Sequence, residues 1–222
     1  MGTLKVSEIF KSIMGELPYQ GSPCVIIRLA GCNLRCLYCD TQYALDAGSP
    51  SNSEIPVDRI VKEMTSYGPS IILVTGGEPM CQEEAPVLIR ELHARGYRVV
   101  LETNGAYDLS SLSEGVVKVV DVKCPGSGEV GTHLDSNLGS LDSKDRLKFV
   151  IMDQNDYLWS ISFLQDHGFE VKDRPGPGSG KPGILFSPVH GQLEPEVLVG
   201  WILEDGIDAR LNLQIHKIIG LP

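Results

Sequence analysis

The chain has 222 residues, 42% hydrophobic and 22% charged, and 29 acidic against 19 basic residues give it a formal charge of −10. These proportions match an ordinary globular protein and exclude whole-chain disorder, a collagen-like repeat and a coiled coil. No apolar run approaches the ~18 residues of a membrane span, no signal-peptide pattern opens the sequence, and so negative a surface repels phosphate backbones. A cytoplasmic protein with neither nucleic acid nor membrane as partner is expected.

Residues 24–30 (CVIIRLA) form a β-branched run of strand length that ends at a cysteine-rich loop. Residues 57–67 place apolar side chains at 57, 60, 61 and 64, which is helical spacing. A second short strand, 70–75 (SIILVT), runs into Gly76-Gly77-Glu78-Pro79. Residues 83–95 read as a helix stopped by Gly96. Strands follow at 98–103, 116–122 and 147–151, then a helix at 155–166, a strand at 183–186, a helix at 195–204 and a last strand at 209–214.

Strands separated by helical stretches predict an α/β fold with a parallel sheet. Six or seven such units fit, short of the eight of a closed barrel. Chemistry in these folds collects at the C-terminal ends of the strands, where the sequence puts its unusual residues: the cysteine loop, Gly-Gly-Glu-Pro, Glu102-Thr103-Asn104-Gly105 and Asp121-Val122-Lys123-Cys124. Residues 47–55, 125–145 and 173–182 read as loops rich in Gly, Ser or Pro. No composition shift divides residues 1–222, so one domain is expected.

Six cysteines stand at 24, 32, 36, 39, 81 and 124, three of them within eight residues. In a reducing compartment such clustering points to metal binding or redox chemistry. A structural zinc site wants four closed ligands, and the fourth is not local here. Three thiolates on an iron–sulfur cluster leave one iron open to a further ligand, which suits catalysis.

CxxxCxxC after the first strand, joined to Gly-Gly-Glu-Pro after the second, resembles the radical S-adenosylmethionine (SAM) superfamily. The resemblance implies a partial, modified (β/α)6-type barrel. It implies a [4Fe–4S] cluster on Cys32, Cys36 and Cys39 whose open iron binds SAM, and reductive cleavage of SAM to a 5′-deoxyadenosyl radical. A narrower likeness covers most of the chain: residues 8–16 (EIFKSIMGE), Gly21-Ser22-Pro23, residues 27–33 (IRLAGCN), Tyr38-Cys39-Asp40-Thr41, residues 121–128 (DVKCPGSG) and residues 214–217 (QIHK). These are similar to the 7-carboxy-7-deazaguanine synthases. That family contracts 6-carboxy-5,6,7,8-tetrahydropterin to a 7-deazapurine with loss of ammonia, on the route to queuosine. It implies dependence on Mg²⁺, a homodimer, and a reductant such as flavodoxin or ferredoxin.

Carried over residue by residue, the likeness makes Thr41 the Mg²⁺ ligand, a hard oxygen donor as that ion requires; a capping hydroxyl is the plainer role for the same residue. It assigns substrate to Ile13, Met14, Gly15, Arg28, Thr75 and the C-terminal Pro222. The planar fork of Arg28 suits a carboxylate, and an ion pair within the fold would suit it as well. Contacts to SAM fall on Tyr38, Cys39, Asp40, Gly77, Glu102, Lys123, Ser187, Pro188, Val189 and His190. Gly77 is expected to let backbone approach SAM closely.

Among residues to which the likeness assigns no role, Cys124 next to Lys123 is either a thiol of lowered pKa or a spectator. Cys24 reads as a buried strand residue, Cys81 as a loop thiol and His93 as solvated. For Gln214 and His216, near the end of the last strand, both a place at the site and one clear of it are open. Two other functions compete with ring contraction: an activase that makes a glycyl radical on a partner protein, and a zinc- or cluster-bearing binding module without catalysis.

Overall fold

The computed structural model describes residues 2–172 and 180–221. The chain opens with β1 (Thr3–Ile13) and β2 (Pro23–Leu29), then the cysteine loop, β3 (Ser53–Pro56) and α1 (Val57–Tyr67). Next come β4 (Ile71–Gly76), α2 (Ala85–Ala94), β5 (Arg98–Thr103), β6 (Val117–Val122), α3 (Asp135–Gly139) and β7 (Arg146–Ile151). The last elements are α4 (Gln154–Asp166), β8 (Gly183–Pro188), α5 (Pro195–Asp205), β9 (Arg210–Leu211) and α6 (Ile215–Ile218). All strands join one sheet in the order β3-β1-β2-β4-β5-β6-β7-β8-β9, antiparallel at the β3 and β1 end and parallel from β2 onward.

Both faces of the parallel region are buried, which is why its strands read as near-continuous apolar runs rather than alternating ones. Val25, Ile27, Ile72, Val74, Val99, Leu101, Leu147 and Phe149 point outward and pack under α1, α2, α4 and α5. Their neighbours Ile26, Leu73, Val100, Val119 and Leu185 point inward and form a second core with Met14 and Leu17. Two residues further along each strand, on that same inner face, the apolar floor gives way to Arg28, Thr75, Glu102, Asp121 and Ser187. The curved sheet therefore has a greasy base and a polar rim.

Several expectations need correction. Residues 3–13 were assigned no element, yet β1 is the longest strand. Its alternation begins with buried Leu4 and Val6 and is then broken by an irregularity between Val6 and Glu8. Residues 53–55, expected in a loop, pair with β1 as part of β3. The connection 125–145 carries the short α3. The strand expected over 209–214 shrinks to Arg210–Leu211, and the chain turns into α6. The loop expected at 173–182 lies, for residues 173–179, outside the described residues.

Candidate active site

A cavity of about 650 Å³ opens at the C-terminal ends of the parallel strands, within the usual range for small-molecule sites. Cys32, Cys36 and Cys39 all line it, on the loop that leaves β2. That loop is anchored on three sides. Gly31 and Cys32 donate backbone N–H groups to the carbonyls of Ala44 and Leu45 at 2.7 and 3.2 Å. Asn104, just past β5, donates its side-chain N–H to Asn33 Oδ1 at 2.8 Å. Glu129 accepts the backbone N–H of Arg35 at 2.6 Å.

Gly77 and Glu78 brace the loop from β4. A Cβ on Gly77 would stand 2.2 Å from the Gly31 carbonyl oxygen and 2.9 Å from Cys32 Cβ, so the glycine is first required for packing within the chain. Glu78 is fully buried. Its carboxylate accepts from Thr103 Oγ1 and from the N–H of Asn104, both at 2.7 Å, and from the N–H of Met80 at 3.0 Å. Burial outweighs these bonds and pushes its pKa above the usual carboxylate range.

The three cysteines are free thiols. Burial pushes Cys32 up to about 11, with smaller contributions from Glu78, Cys81 and Cys36, although the Leu34 N–H at 3.4 Å from its Sγ works the other way. Burial likewise raises Cys36, against the pull of Lys123. Thiols held this way stay protonated at neutral pH until a metal displaces the proton. Cys81 does not join them at the cavity: its Sγ lies 3.2 Å from the Tyr107 hydroxyl. The donor set is thus three thiols, as a cluster with one open iron requires, and not the four of a closed zinc site.

Around the thiols stands a ring of alternating charge. Lys148 Nζ lies 2.9 Å from Glu16 Oε2 and 2.7 Å from Glu102 Oε1, and Glu102 also accepts the Thr75 hydroxyl at 3.1 Å. Burial opposes ionisation of Glu102, but Lys148 wins and holds its carboxyl below the usual range. Lys123 Nζ pairs with Asp121 Oδ2 at 2.9 Å. The other oxygen, Asp121 Oδ1, is buried with no hydrogen-bond partner in the described structure. An orphaned acceptor in a cavity wall is a place for a ligand donor, such as the amino or ribose hydroxyl groups of SAM. Lys217 Nζ meets Asp40 Oδ2 at 2.5 Å and Gln214 donates to the same oxygen at 3.3 Å; against the partial burial of Asp40, whose side chain is about half exposed, they keep its carboxyl below the usual range.

Most residues that the sequence marks converge here. Tyr38, Asp40, Thr41, Thr75, Gly77, Glu102, Lys123, Ser187, Pro188, Val189, His190, Gln214 and His216 all line the cavity with the cysteines. Thr41 holds the N-cap position of a short 3-10 turn, yet its hydroxyl makes no capping bond and lies 3.8 Å from Cys39 Sγ. Arg28 lines the cavity and is also half of an ion pair, Nε to Glu8 Oε1 at 2.6 Å.

Others land differently. Met14 is fully buried in the inner core, and Ile13 and Gly15 do not line the cavity either; Gly15 instead leaves room for the His216 ring, whose Nδ1 would meet a Cβ there. Pro222 lies outside the described residues. Cys124 is buried with Sγ 3.4 Å from Ser160 Oγ, and burial raises its pKa, which favours the spectator of its two alternatives. His93 is half-buried against Gly115 rather than solvated. Glu16 and Lys148 were missed, although a lysine inside the strand RLKFVI was a visible signal.

A Radical SAM superfamily model matches residues 26–174. A 7-carboxy-7-deazaguanine synthase of Koribacter versatilis is 39% identical over 99% of this chain and 98% of its own length. One of Chlorobaculum tepidum is 37% identical over 99% and 95%. Among solved structures, QueE from Escherichia coli superposes with a TM-score of 0.72 at 19% identity, covering 95% of this chain and 93% of that one; it shows the partial-barrel fold.

Proposed function

The chain belongs to the 7-carboxy-7-deazaguanine synthases of the radical SAM superfamily, and from that membership we propose that it converts 6-carboxy-5,6,7,8-tetrahydropterin to 7-carboxy-7-deazaguanine and ammonia. The observation that carries this reading is the convergence of three free thiols, an unpaired acceptor and a ring of paired charges on one cavity. Bound there, the [4Fe–4S] cluster and SAM would supply the hydrogen-abstracting radical that starts the ring contraction.

The residues divide the remaining work. Cys32, Cys36 and Cys39 hold the cluster, on a loop that Gly77 and Glu78 keep pressed against the strand ends. Tyr38, Asp40, Gly77, Glu102, Lys123 and Ser187 to His190 form the SAM side of the cavity, where Asp121 Oδ1 awaits a donor. Arg28 and Thr75 face the pterin. Arg28 spends Nε on Glu8 and keeps guanidinium N–H groups to offer the substrate carboxylate. Ile13, Met14 and Gly15 act on the shape of the site from behind the cavity wall, since they do not line it. Thr41 supplies the hydroxyl ligand of Mg²⁺, a role supported by its lack of a capping bond.

We read residues 1–222 as a single radical SAM domain acting as a homodimer in the cytoplasm, where free thiols persist. A small protein such as flavodoxin or ferredoxin delivers the electron; Leu37, 75% exposed at the tip of the cysteine loop, supports docking there. Anaerobic incubation of the cluster-loaded protein with dithionite, SAM, Mg²⁺ and the pterin, with mass spectrometry of the products, tests the proposal. Deazapurine supports it, whereas deoxyadenosine without deazapurine would move the substrate to a protein.

A further inference from the structure

Away from the cavity, His133, Asp135 and His167 bring one ligand atom each to within 4.8 Å of one another. The His133 side chain is only 7% exposed. Its ring packs edge-on against Phe163, with centroids 5.1 Å apart, and against His167 at 6.2 Å. Its Nδ1 is buried with no partner in the described structure, and its Nε2 faces Asp135 Oδ1 at 3.4 Å. Neither ring nitrogen thus has a hydrogen bond of normal length, and a cation shared with Asp135 would satisfy Nε2.

His167 presents a nitrogen to the same oxygen, with Nε2 3.7 Å from Asp135 Oδ1. Its other nitrogen, Nδ1, stands 2.8 Å from the Phe163 carbonyl. A carbonyl can only accept, so Nδ1 carries the proton and Nε2 offers its lone pair toward Asp135. A backbone acceptor on the far ring nitrogen is the arrangement that orients metal-binding histidines.

The spacings fit a shared cation better than direct bonds. Separations of 3.4 and 3.7 Å are long for an N–H···O bond, which prefers about 2.7–3.2 Å. Ligand bonds of about 2.0–2.1 Å at tetrahedral angles put neighbouring ligand atoms roughly 3.3 Å apart. We propose that His133, Asp135 and His167 form a site for a divalent transition metal, zinc being the ion that two imidazoles, one carboxylate and a water suit. None of the three lines the active-site cavity. The ion ties the start of α3 to the C-terminal end of α4, and Asp135, whose side chain is 81% exposed, leaves room for the water ligand.

The test uses full-length protein with its iron–sulfur cluster loaded, so that the cysteine loop is not open to zinc. It is incubated with Zn²⁺, washed with a mild chelator and analysed for zinc and iron. Stoichiometric zinc in the parent is expected, with zinc about tenfold or more lower in Asp135→Asn and His167→Gln and iron unchanged in both. Zinc should also raise the melting temperature of the parent and leave both variants unmoved. A parent that retains no zinc, or variants that retain as much as the parent, would overturn the site. Both substituted side chains reach solvent, so the variants are expected to fold, and unchanged iron content verifies that they have.

Discussion

Lys148 on β7 reaches across the whole width of β6 to Glu102 on β5, with Nζ 2.7 Å from Oε1. It takes Glu16 Oε2 at 2.9 Å in the same grip, so one buried cation pairs with two carboxylates from distant parts of the chain. The pairing sets the charge of the cavity floor.

Lys148→Met leaves those carboxylates facing each other without a cation, which should cost about 3–5 kcal/mol in urea unfolding at neutral pH. Adding Glu102→Gln to Lys148→Met should return part of it. In the parent, the lowered Glu102 pKa contributes stability above the ordinary carboxylate value that is lost as pH falls through the folded one. In Lys148→Met burial is opposed only by the Thr75 hydroxyl and the more distant Lys123, so the folded pKa rises and the deficit should shrink as pH is lowered through the carboxylate range. A deficit that grows toward acid pH would contradict the pairing.

Gly77→Ala places a Cβ against the Gly31 carbonyl at 2.2 Å, backbone that cannot swing aside. The cysteine loop must shift, and iron incorporation after reconstitution should fall several-fold while circular dichroism keeps its helical signal. Normal iron content would show that the loop tolerates displacement.

Lys217→Met removes the closest cation from Asp40. Partial burial opposes ionisation there, and without Lys217 only Gln214 and the more distant Lys148 still favour the carboxylate. The Asp40 pKa, read by carbon-detected NMR titration, should rise from below the usual carboxylate value toward it. No movement would assign the depression to Gln214 and the more distant Lys148.

Thr41→Val keeps the shape of the side chain and deletes its oxygen. The Mg²⁺ concentration giving half-maximal turnover should increase on the order of tenfold, and Thr41→Ser should restore it. An unchanged Mg²⁺ profile would remove Thr41 from the metal.

The sequence carried the parallel half of the fold because both its faces are buried and its strands are unbroken apolar runs. β1 stayed hidden because the irregularity near Val6 and Glu8 shifts its alternation midway, and β3 because four residues carry no period. The cysteine triplet was legible as chemistry from spacing alone. Lys148 stands out as a lysine inside an apolar strand, but its role does not, since Glu16 and Glu102, far away in sequence, come to it only on folding. Gly77 lines the cavity, and its close approach to Gly31 is in addition a contact between loops that no local pattern encodes.

Ring contraction with loss of one nitrogen fixes the stoichiometry of products. Cluster-loaded protein supplied anaerobically with dithionite, SAM, Mg²⁺ and 6-carboxytetrahydropterin should release ammonia and 7-carboxy-7-deazaguanine in equal amounts, in large excess over enzyme, and Cys36→Ala should release neither. Deoxyadenosine accumulating without ammonia or deazapurine, from a protein whose cluster is intact, would contradict the assignment.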